Sequence, residues 1–360
     1  MKRELKLQLE NVSKSWNGFA LKNINMEVAD SDYFALLGPN GAGKTLLLET
    51  VLGFWRPDKG RILLGSEDLT SVPPEKRGLG YVPQECMLFP HMKVRQNVEF
   101  GLKMRHISEN ERRKTSNRVM ELLGLRTLAD KFPITLSGGE RQKVALARVL
   151  AIEPEVILLD EPLASIDAEN SRLMKDELKR IHRDLKVTIV HVTHNQIEAF
   201  NLAERIAIMH QGQIVQIDDA RSVLSNPASE FVARFLGYEN ILRGKLVKRS
   251  ASLSTINIEG YTVHISAVVE NDDCIVGIRA EDFLLSLEPP ESNLNVLKGR
   301  ISDWEDLGPI VSVTIEAAFR IKVSVSKGYF VELNLERNAE VWVSFRPESV
   351  RLFSHSEAGD

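Results

Sequence analysis

Cysteine is scarce in this sequence, and long hydrophobic runs are missing. Only Cys86 and Cys274 occur among 360 residues, and two widely separated thiols do not make a disulfide framework or a zinc site. A reducing, cytosolic environment is therefore expected. No uninterrupted apolar run approaches the roughly 18 residues that a membrane-spanning helix needs. Any work at a membrane is expected to be done through partner subunits.

Excess charge of one sign is also lacking. The formal net charge is −4 at pH 7 and is spread along the chain, whereas nucleic-acid-binding domains usually carry a basic footprint. No nucleic acid partner is predicted. The start of the chain runs into alternating leucines and not into the apolar core of a signal peptide. The length predicts two or three domains of about 150 residues each.

The segment GPNGAGKT at 38–45 carries the strongest functional pattern. It lies between an apolar run at 33–37 and a helix-prone run at 46–50, so strand, loop and helix are predicted. Its glycines let backbone N–H groups converge on a phosphate at the positive end of the helix. Lys44 is predicted to contact the β- and γ-phosphates, and the Thr45 hydroxyl to bind Mg²⁺. The predicted nucleotide contacts are Gly38, Pro39, Asn40, Gly41, Ala42, Gly43, Lys44, Thr45 and Leu46.

Two acids end a run that is typical of a doubly buried parallel strand. Asp160 and Glu161 follow four apolar residues at 156–159, and such strands deliver their carboxyl ends to a ligand crevice. Asp160 is predicted to hold Mg²⁺, and Glu161 to polarise the water that attacks the γ-phosphate. A purely structural role is disfavoured, because burying unpaired carboxylates is costly.

Three further positions fit a nucleotide site but have structural alternatives. Trp16, in the turn of a hairpin predicted over 5–30, can stack on adenine or plug the sheet edge. Ser137, before Gly138 and Gly139, starts either a second anion-binding helix or an ordinary capping box. His194 ends an apolar strand and is predicted to bond to the γ-phosphate and the water. His191 is expected on the same strand face, more often as a structural histidine.

The order of these motifs, with LSGGE at 136–140, resembles the ATPase subunits of ABC transporters over residues 5–236. The resemblance implies a P-loop α/β nucleotide-binding domain at 1–236, with a helical subdomain at about 85–150. It also implies a head-to-tail homodimer holding two ATP molecules with Mg²⁺. Ser137, Gly138 and Gly139 of one subunit would meet the γ-phosphate held by Lys44 of the other.

The same resemblance implies that Trp16 stacks on adenine, and it assigns two more site residues. Gln84 would act at the Mg²⁺ site and link it to two transmembrane permease subunits, and Asp167 would join the nucleotide contacts. The chain departs from the family pattern at Asp167, which ends ASID where an SALD-like stretch is common, and at Asn195, where aspartate is usual. Neither departure replaces a catalytic group.

After residue 236 the pattern changes to short alternating strands, which predicts a C-terminal all-β domain at 237–360. Asn240-Ile-Leu-Arg-Gly-Lys recurs as Asn295-Val-Leu-Lys-Gly-Arg. Two OB-like units, at about 240–288 and 293–354, are therefore predicted. They resemble the molybdate-binding-protein-like TOBE modules of importer ATPases. By matching position, the candidate oxyanion ligands are Ser292, Asn295, Lys298, Ser326 and Lys327, although Asn293, Leu294 and Tyr329 depart from that pattern.

The sequence thus predicts the ATPase of a binding-protein-dependent importer for molybdate or tungstate, acting at the cytoplasmic face of the membrane. The C-terminal domain would regulate the enzyme by sensing oxyanion, or only hold the dimer together. Three alternatives stay open. They are an importer for a sugar, ferric ion or polyamine, a non-transport ABC protein, and an oxyanion sensor with an attached ATPase.

Overall fold

The computed structural model describes residues 4–164, 166–250, 252–269, 271–290 and 295–353. The chain divides into two compact units, Met1–Val223 and Leu224–Asp360. This division precedes the predicted boundary at 236, because the helix at Glu230–Phe235 contributes Ala233 to a small core with Tyr238, Ile275 and Phe353 of the second unit.

The elements of the first unit, in chain order, are β1 (Leu5–Trp16), β2 (Phe19–Ala29), β3 (Tyr33–Leu37), α1 (Lys44–Leu52), β4 (Lys59–Leu64), β5 (Glu67–Asp68), β6 (Leu79–Val82), α2 (Val94–Met104), α3 (Glu109–Leu122), α4 (Gly138–Ala151), β7 (Val156–Asp160), α5 (Ala168–Leu185), β8 (Thr188–Thr193), α6 (Gln196–Leu202), β9 (Arg205–His210) and β10 (Gln213–Asp219). Helix α7 (Ala220–Ser225) spans the division.

A six-stranded sheet with the order β10-β9-β3-β8-β7-β6 forms the centre of this unit. All its neighbouring pairs are parallel except β10 with β9. Every residue of β3, β7 and β8 is buried, as expected for strands covered on both faces. Parallel pairing brings the carboxyl ends of β3, β6, β7 and β8 to one edge of the sheet, where the predicted nucleotide site lies.

The predicted hairpin at the start of the chain is confirmed. β1 and β2 pair in register from Trp16 opposite Phe19, which leaves Asn17-Gly18 as a two-residue turn with Gly18 at φ 87°. These strands belong to a second sheet with the order β2-β1-β4-β5. Helices α2, α3 and α4 pack with α5 around a separate apolar cluster that includes Val98, Met120 and Leu146. No helix in the described ranges has the length and apolar character to cross a membrane.

The second unit contains α8 (Glu230–Phe235), β11 (Asn240–Lys248), β12 (Ser254–Ile258), β13 (Tyr261–Ile265), β14 (Asp273–Ile278), β15 (Leu284–Ser286), β16 (Asn295–Asp306), β17 (Ile310–Glu316), β18 (Arg320–Ser326), α9 (Lys327–Glu332), β19 (Glu340–Phe345) and β20 (Arg351–Phe353). They form two five-stranded sheets, β13-β12-β11-β14-β20 and β15-β19-β16-β17-β18.

The two repeats are interlocked and share one core. The closing strand of each repeat pairs in the other sheet, since β15 joins β19 and β20 joins β14. A 3₁₀ turn ahead of each closing strand redirects the chain. One apolar cluster combines side chains from both sheets, including Val276 and Val343. The sequence suggested two units that meet at 288–293. The shared core and the exchanged strands mean that the chain does not divide there into two separate units.

Candidate nucleotide-binding site

The loop between β3 and α1 depends on glycine for its shape. Gly43 has φ 100°, and a Cβ atom there would lie 2.6 Å from Cζ of Phe19. A Cβ atom at Gly38 would lie 2.3 Å from the Met209 carbonyl oxygen. The neighbouring ring and backbone leave no room for a side chain at either position. The loop can therefore curl tightly ahead of the helix only because both residues are glycine. This is the geometry that allows backbone N–H groups to converge on an anion.

Lys44 is buried in this loop with only 6% of its surface exposed. Its Nζ donates to the carbonyl oxygens of Gly38, at 2.9 Å, and Pro39, at 3.0 Å. Burial lowers the pKa of Lys44, while the carboxylates of Glu161 and Asp160 act in the opposite direction. A desolvated ammonium group that binds only loop carbonyls is well prepared to move onto a phosphate.

Asp160 lies at the end of β7, where two hydroxyl groups contact its carboxylate. The Thr45 hydroxyl is 3.3 Å from Oδ1, and the Tyr81 hydroxyl is 3.4 Å from Oδ2. Burial is the main cause that raises the pKa of Asp160. Magnesium is held in phosphate sites by one or two carboxylates, a hydroxyl and phosphate oxygens. This donor set fits it, although the described residues contain no cluster of three acidic, histidine or cysteine ligands.

Glu161 and His194 form a pair at the same edge of the sheet. Nδ1 of His194 lies 2.9 Å from Oε1 of Glu161. The Glu161 backbone has φ 44°, and its N–H donates to the Val192 carbonyl of the neighbouring strand at 2.9 Å. This turn directs the Glu161 side chain out of the strand. The two predicted catalytic groups thus lie within hydrogen-bonding distance of each other.

The expectation for His191 is wrong in one respect. It precedes His194 by three positions, so it does not share its strand face, and it is fully buried. Its Nδ1 lies 3.0 Å from the Tyr33 hydroxyl, and burial lowers its pKa to about 3. The structural interpretation of His191 therefore holds.

Trp16 and Gln84 belong to different sheets, since Trp16 ends β1 of the second sheet and Gln84 follows β6 of the central sheet. Trp16, half-buried at the end of β1, makes an edge-to-face contact with Trp55 at 5.9 Å between ring centroids. Gln84 is exposed two residues after β6. Val82 pairs with Leu159 in β7, so Gln84 leaves the sheet at the same edge as Asp160.

Ser137 caps α4 through a reciprocal capping box, in which its hydroxyl accepts from the Glu140 N–H and its own N–H donates to the Glu140 carboxylate. Gly138 and Gly139 form the first turn of the helix. A Cβ atom at Gly139 would lie 3.7 Å from Asn170, and Asp167 binds the backbone and side-chain amide of Asn170. The starts of α4 and α5 are therefore adjacent.

The structure uses Asn295 and Lys298 for contacts within the C-terminal unit. Asn295 is 2% exposed, and its amide pairs with both backbone groups of His264, at 2.7 and 2.9 Å. Asn240, at the same place in the first repeat, binds the backbone of Lys322 in the same way. Lys298 forms an ion pair with Glu340 at 2.8 Å.

The remaining candidate ligands lie elsewhere. The Ser326 hydroxyl accepts from the N–H of Tyr329, and Lys327 pairs with Asp306 at 2.7 Å. Asp306 ends β16, whereas Asn295 begins it, and a strand of that length spans roughly 35 Å. Ser292 lies outside the described residues. Within one chain, these candidates do not converge on a single point.

Sequence reasoning missed Phe19 and Tyr81 as parts of the nucleotide site. Phe19 contacts the phosphate loop at Gly43, and Tyr81 contacts Asp160. The available signal was position, because Tyr81 belongs to the strand that ends before Gln84.

Comparison with known proteins identifies two regions. The model of the family described as ABC transporter matches residues 21–164. The model described as TOBE domain matches residues 276–353. Together they cover the phosphate loop, the acidic pair and much of the C-terminal unit.

Full-length relatives and a solved structure extend these matches. The "Molybdate/tungstate import ATP-binding protein WtpC" of Pyrococcus abyssi is 41% identical, over 96% of this chain and 100% of its own length. The "Sulfate/thiosulfate import ATP-binding protein CysA" of Thermosynechococcus vestitus is 37% identical over 96% of this chain and 98% of its own. The dimeric ATP-binding cassette MJ0796, bound to ADP and Pi, matches with a TM-score of 0.54 and 28% identity over 60% of this chain and 99% of its own.

Proposed function

Because this chain belongs to the ABC transporter family of ATP-binding proteins and is an ATPase of that family, we propose that it energises the import of molybdate or tungstate. The observation that carries the cargo assignment is the 41% identity to a molybdate/tungstate import ATP-binding protein, which extends over 96% of the chain. The match therefore includes the C-terminal unit as well as the cassette.

ATP hydrolysis is assigned to the edge of the central sheet. The loop at 38–46 would bind the phosphates through backbone N–H groups, and Lys44 would move from its loop carbonyls onto the β- and γ-phosphates. Mg²⁺ would be held by Asp160, Thr45 and Gln84. When bound, the ion would neutralise part of the phosphate charge. Glu161 would accept the proton of the attacking water.

His194 and the adenine contact complete the proposed site. With its Nδ1 2.9 Å from Glu161, the His194 imidazole would orient that carboxylate and contact the γ-phosphate. Trp16 would stack on the adenine face. The Trp55 ring packs edge-on against Trp16, so it restricts how far the Trp16 ring can turn.

We assign the working unit to a homodimer. Ser137, Gly138 and Gly139 of one subunit, with Asp167, would face the nucleotide held by the other, so that two ATP molecules lie at the interface. The dimeric state of the similar cassette supports this arrangement. Two permease subunits would span the membrane, an external binding protein would deliver the oxyanion, and this chain would act at the cytoplasmic face.

The C-terminal unit would respond to the transported oxyanion. In one chain, Lys298 lies near the start of β16 and pairs with Glu340, whereas Lys327 of α9 pairs with Asp306 at the end of β16. An oxyanion site from these residues and Ser326 therefore requires a second subunit or release of Glu340 and Asp306. Sensing would then depend on the dimer.

Sulfate is the second candidate cargo, because a sulfate/thiosulfate import protein is 37% identical over nearly the full chain. The test is ATPase activity of the chain reconstituted with its permease subunits and its binding protein, with each anion supplied at equal concentration. Molybdate and tungstate should stimulate turnover several-fold, with spermidine as the negative control. If only sulfate stimulates turnover, sulfate and not molybdate or tungstate is the cargo.

A further inference from the structure

A closed ring of hydrogen bonds holds the turn that carries His194. The Thr193 hydroxyl donates to Oε2 of Glu198 at 2.8 Å. The same hydroxyl oxygen accepts from the Asn195 backbone N–H at 3.0 Å, and the Asn195 side chain accepts from the Glu198 backbone N–H at 3.3 Å. Strand β8 ends at Thr193 and helix α6 begins at Gln196. His194 therefore belongs to the short turn that these hydrogen bonds hold.

The Glu198 carboxylate is buried, and among the described residues its hydrogen bond comes from the Thr193 hydroxyl of this ring. Glu198 is 7% exposed and Thr193 is 2% exposed. Among the described residues, no lysine or arginine nitrogen lies within ion-pair distance of Glu198, and its nearest basic atom is Nε2 of the neutral His191, at 3.8 Å. That Nε2 atom has no hydrogen-bond partner among them either. Because burying a carboxylate is costly, its placement here calls for a role.

Glu198 lies beside the catalytic pair. A cavity of about 460 Å³ is lined by Glu198, Thr193, His194 and Glu161, and also by Lys175 of α5. The His194 side chain is 48% exposed, and its only hydrogen bond among the described residues is to Glu161. The direction of the imidazole therefore depends on this one contact and on the turn from which His194 leaves the sheet.

We propose that Glu198 is a positioning residue for the ATPase reaction, whose carboxylate holds, through the Thr193 hydroxyl, the turn that presents His194 to Glu161. The ring also accounts for Asn195 at a place where the family usually has aspartate, since the asparagine Oδ1 caps α6 as a carboxylate would. This inference rests on the proposed roles of Glu161 and His194.

Steady-state kinetics of the full-length chain tests it. Glu198→Ala should lower kcat about tenfold to a hundredfold, because a shift of about 1 Å in a catalytic group has an effect of this size, with KM for ATP within twofold. Glu198→Gln should retain most of kcat, because its amide oxygen still accepts from Thr193. Thr193→Val should resemble Glu198→Ala. Unchanged kcat in both of these variants would overturn the proposal.

A matched control separates positioning from stability. Thr188 lies at the other end of β8, is buried, and accepts from the Ser31 N–H at 2.9 Å. Thr188→Val should lower the melting temperature as Thr193→Val does, while leaving kcat unchanged. If Glu198→Ala does not fold, Thr193→Val and Glu198→Gln carry the comparison. Equal loss of kcat in Thr188→Val and Thr193→Val would show that the ring only stabilises the fold and does not position His194.

Two further measurements distinguish this proposal from the proposed function. In a His194→Ala background, Glu198→Ala should lower residual kcat by less than twofold, since there is no imidazole to position. An undiminished effect there would contradict the proposal. The side-chain ¹⁵N resonances of His194 should shift in Glu198→Ala and not in Glu198→Gln, even if the chain hydrolyses no ATP. Absence of ATPase activity would thus contradict the proposed function. Unshifted His194 resonances in Glu198→Ala would contradict the positioning role of Glu198.

Discussion

Nδ1 of His194 lies 2.9 Å from Oε1 of Glu161, although the two side chains come from different strands of the sheet. The parallel pairing of β7 with β8 places Asp160 opposite Val192, so the residues just after each strand emerge side by side. A carboxylate that is to activate water needs a fixed direction. In the proposed mechanism, the contact with the His194 imidazole provides that direction.

The Tyr81 hydroxyl should affect the magnesium requirement. It contacts Oδ2 of Asp160 at 3.4 Å, opposite the oxygen that Thr45 contacts. Tyr81→Phe removes this constraint on the carboxylate and should raise the Mg²⁺ concentration for half-maximal ATPase activity by about threefold, corresponding to a weak hydrogen bond of about 0.7 kcal/mol. Titration with MgCl₂ at saturating ATP measures it. The same midpoint in both proteins would contradict the assignment.

Trp16 should contribute directly to ATP affinity. Stacking of a base on an aromatic ring is worth about 1–3 kcal/mol, so Trp16→Ala should raise the Kd for ATP by about fivefold to 150-fold, as measured by calorimetry. Trp55→Ala is the control, because Trp55 packs edge-on against Trp16 and donates its indole N–H to Glu49, so its loss should have the smaller effect. A larger increase in Kd for Trp55→Ala than for Trp16→Ala would assign the adenine contact to Trp55 instead.

His191 should make the fold sensitive to acid. Its pKa falls from 6.5 to about 3 on burial, so between these values the unfolded chain binds a proton that the folded chain does not. The free energy of unfolding therefore falls as pH falls, by about 1.4 kcal/mol per pH unit for this group. The stability difference between wild type and His191→Asn should shrink by about 2 kcal/mol from pH 6.5 to 5 in urea titrations.

The control for this effect is His106→Asn. His106 is exposed and has φ 58°, a conformation that asparagine tolerates. The unfolding free energy of this variant, measured over the same pH range, is the reference for loss of an exposed histidine. A constant difference between wild type and His191→Asn across the same pH range would show that His191 does not titrate as described.

Asn240 and Asn295 should stabilise the C-terminal unit to a similar extent. Each pairs its amide with the backbone of a strand in the other sheet, at Lys322 and His264. Either alanine variant leaves buried backbone groups unpaired and should cost about 1–3 kcal/mol of unfolding free energy. Exposed Asn201→Ala is the control in chemical denaturation. A change below 0.5 kcal/mol in both variants, about the size of a surface substitution, would contradict this role.

The sequence predicted the elements of the nucleotide site because their signals are local. The phosphate loop, the buried strand before Asp160 and the capping box at Ser137 each lie within a few consecutive residues. Parallel-sheet rules then bring the carboxyl ends of the strands together. The sequence predicted separate roles for Glu161 and His194 at this edge, and the hydrogen-bonding distance between them is a finding of the structure.

Long-range pairing was not available from the sequence. The exchange of β15 and β20 between the two C-terminal sheets pairs strands that lie far apart along the chain. Similarly, Asn295 matched a ligand position in the repeat, while its amide is committed to His264 in a distant strand. Local patterns specify elements and caps, but the partners of a buried polar side chain follow from the whole fold.

We propose that ATP closes a dimer around Glu161, and light scattering of the Glu161→Gln variant measures whether that dimer forms. With ATP and Mg²⁺, the variant should form a stable dimer while turnover falls about a hundredfold or more, as expected for the loss of a general base. With ADP it should remain monomeric. Near-normal turnover, or the same mass with ATP and ADP, would contradict the account.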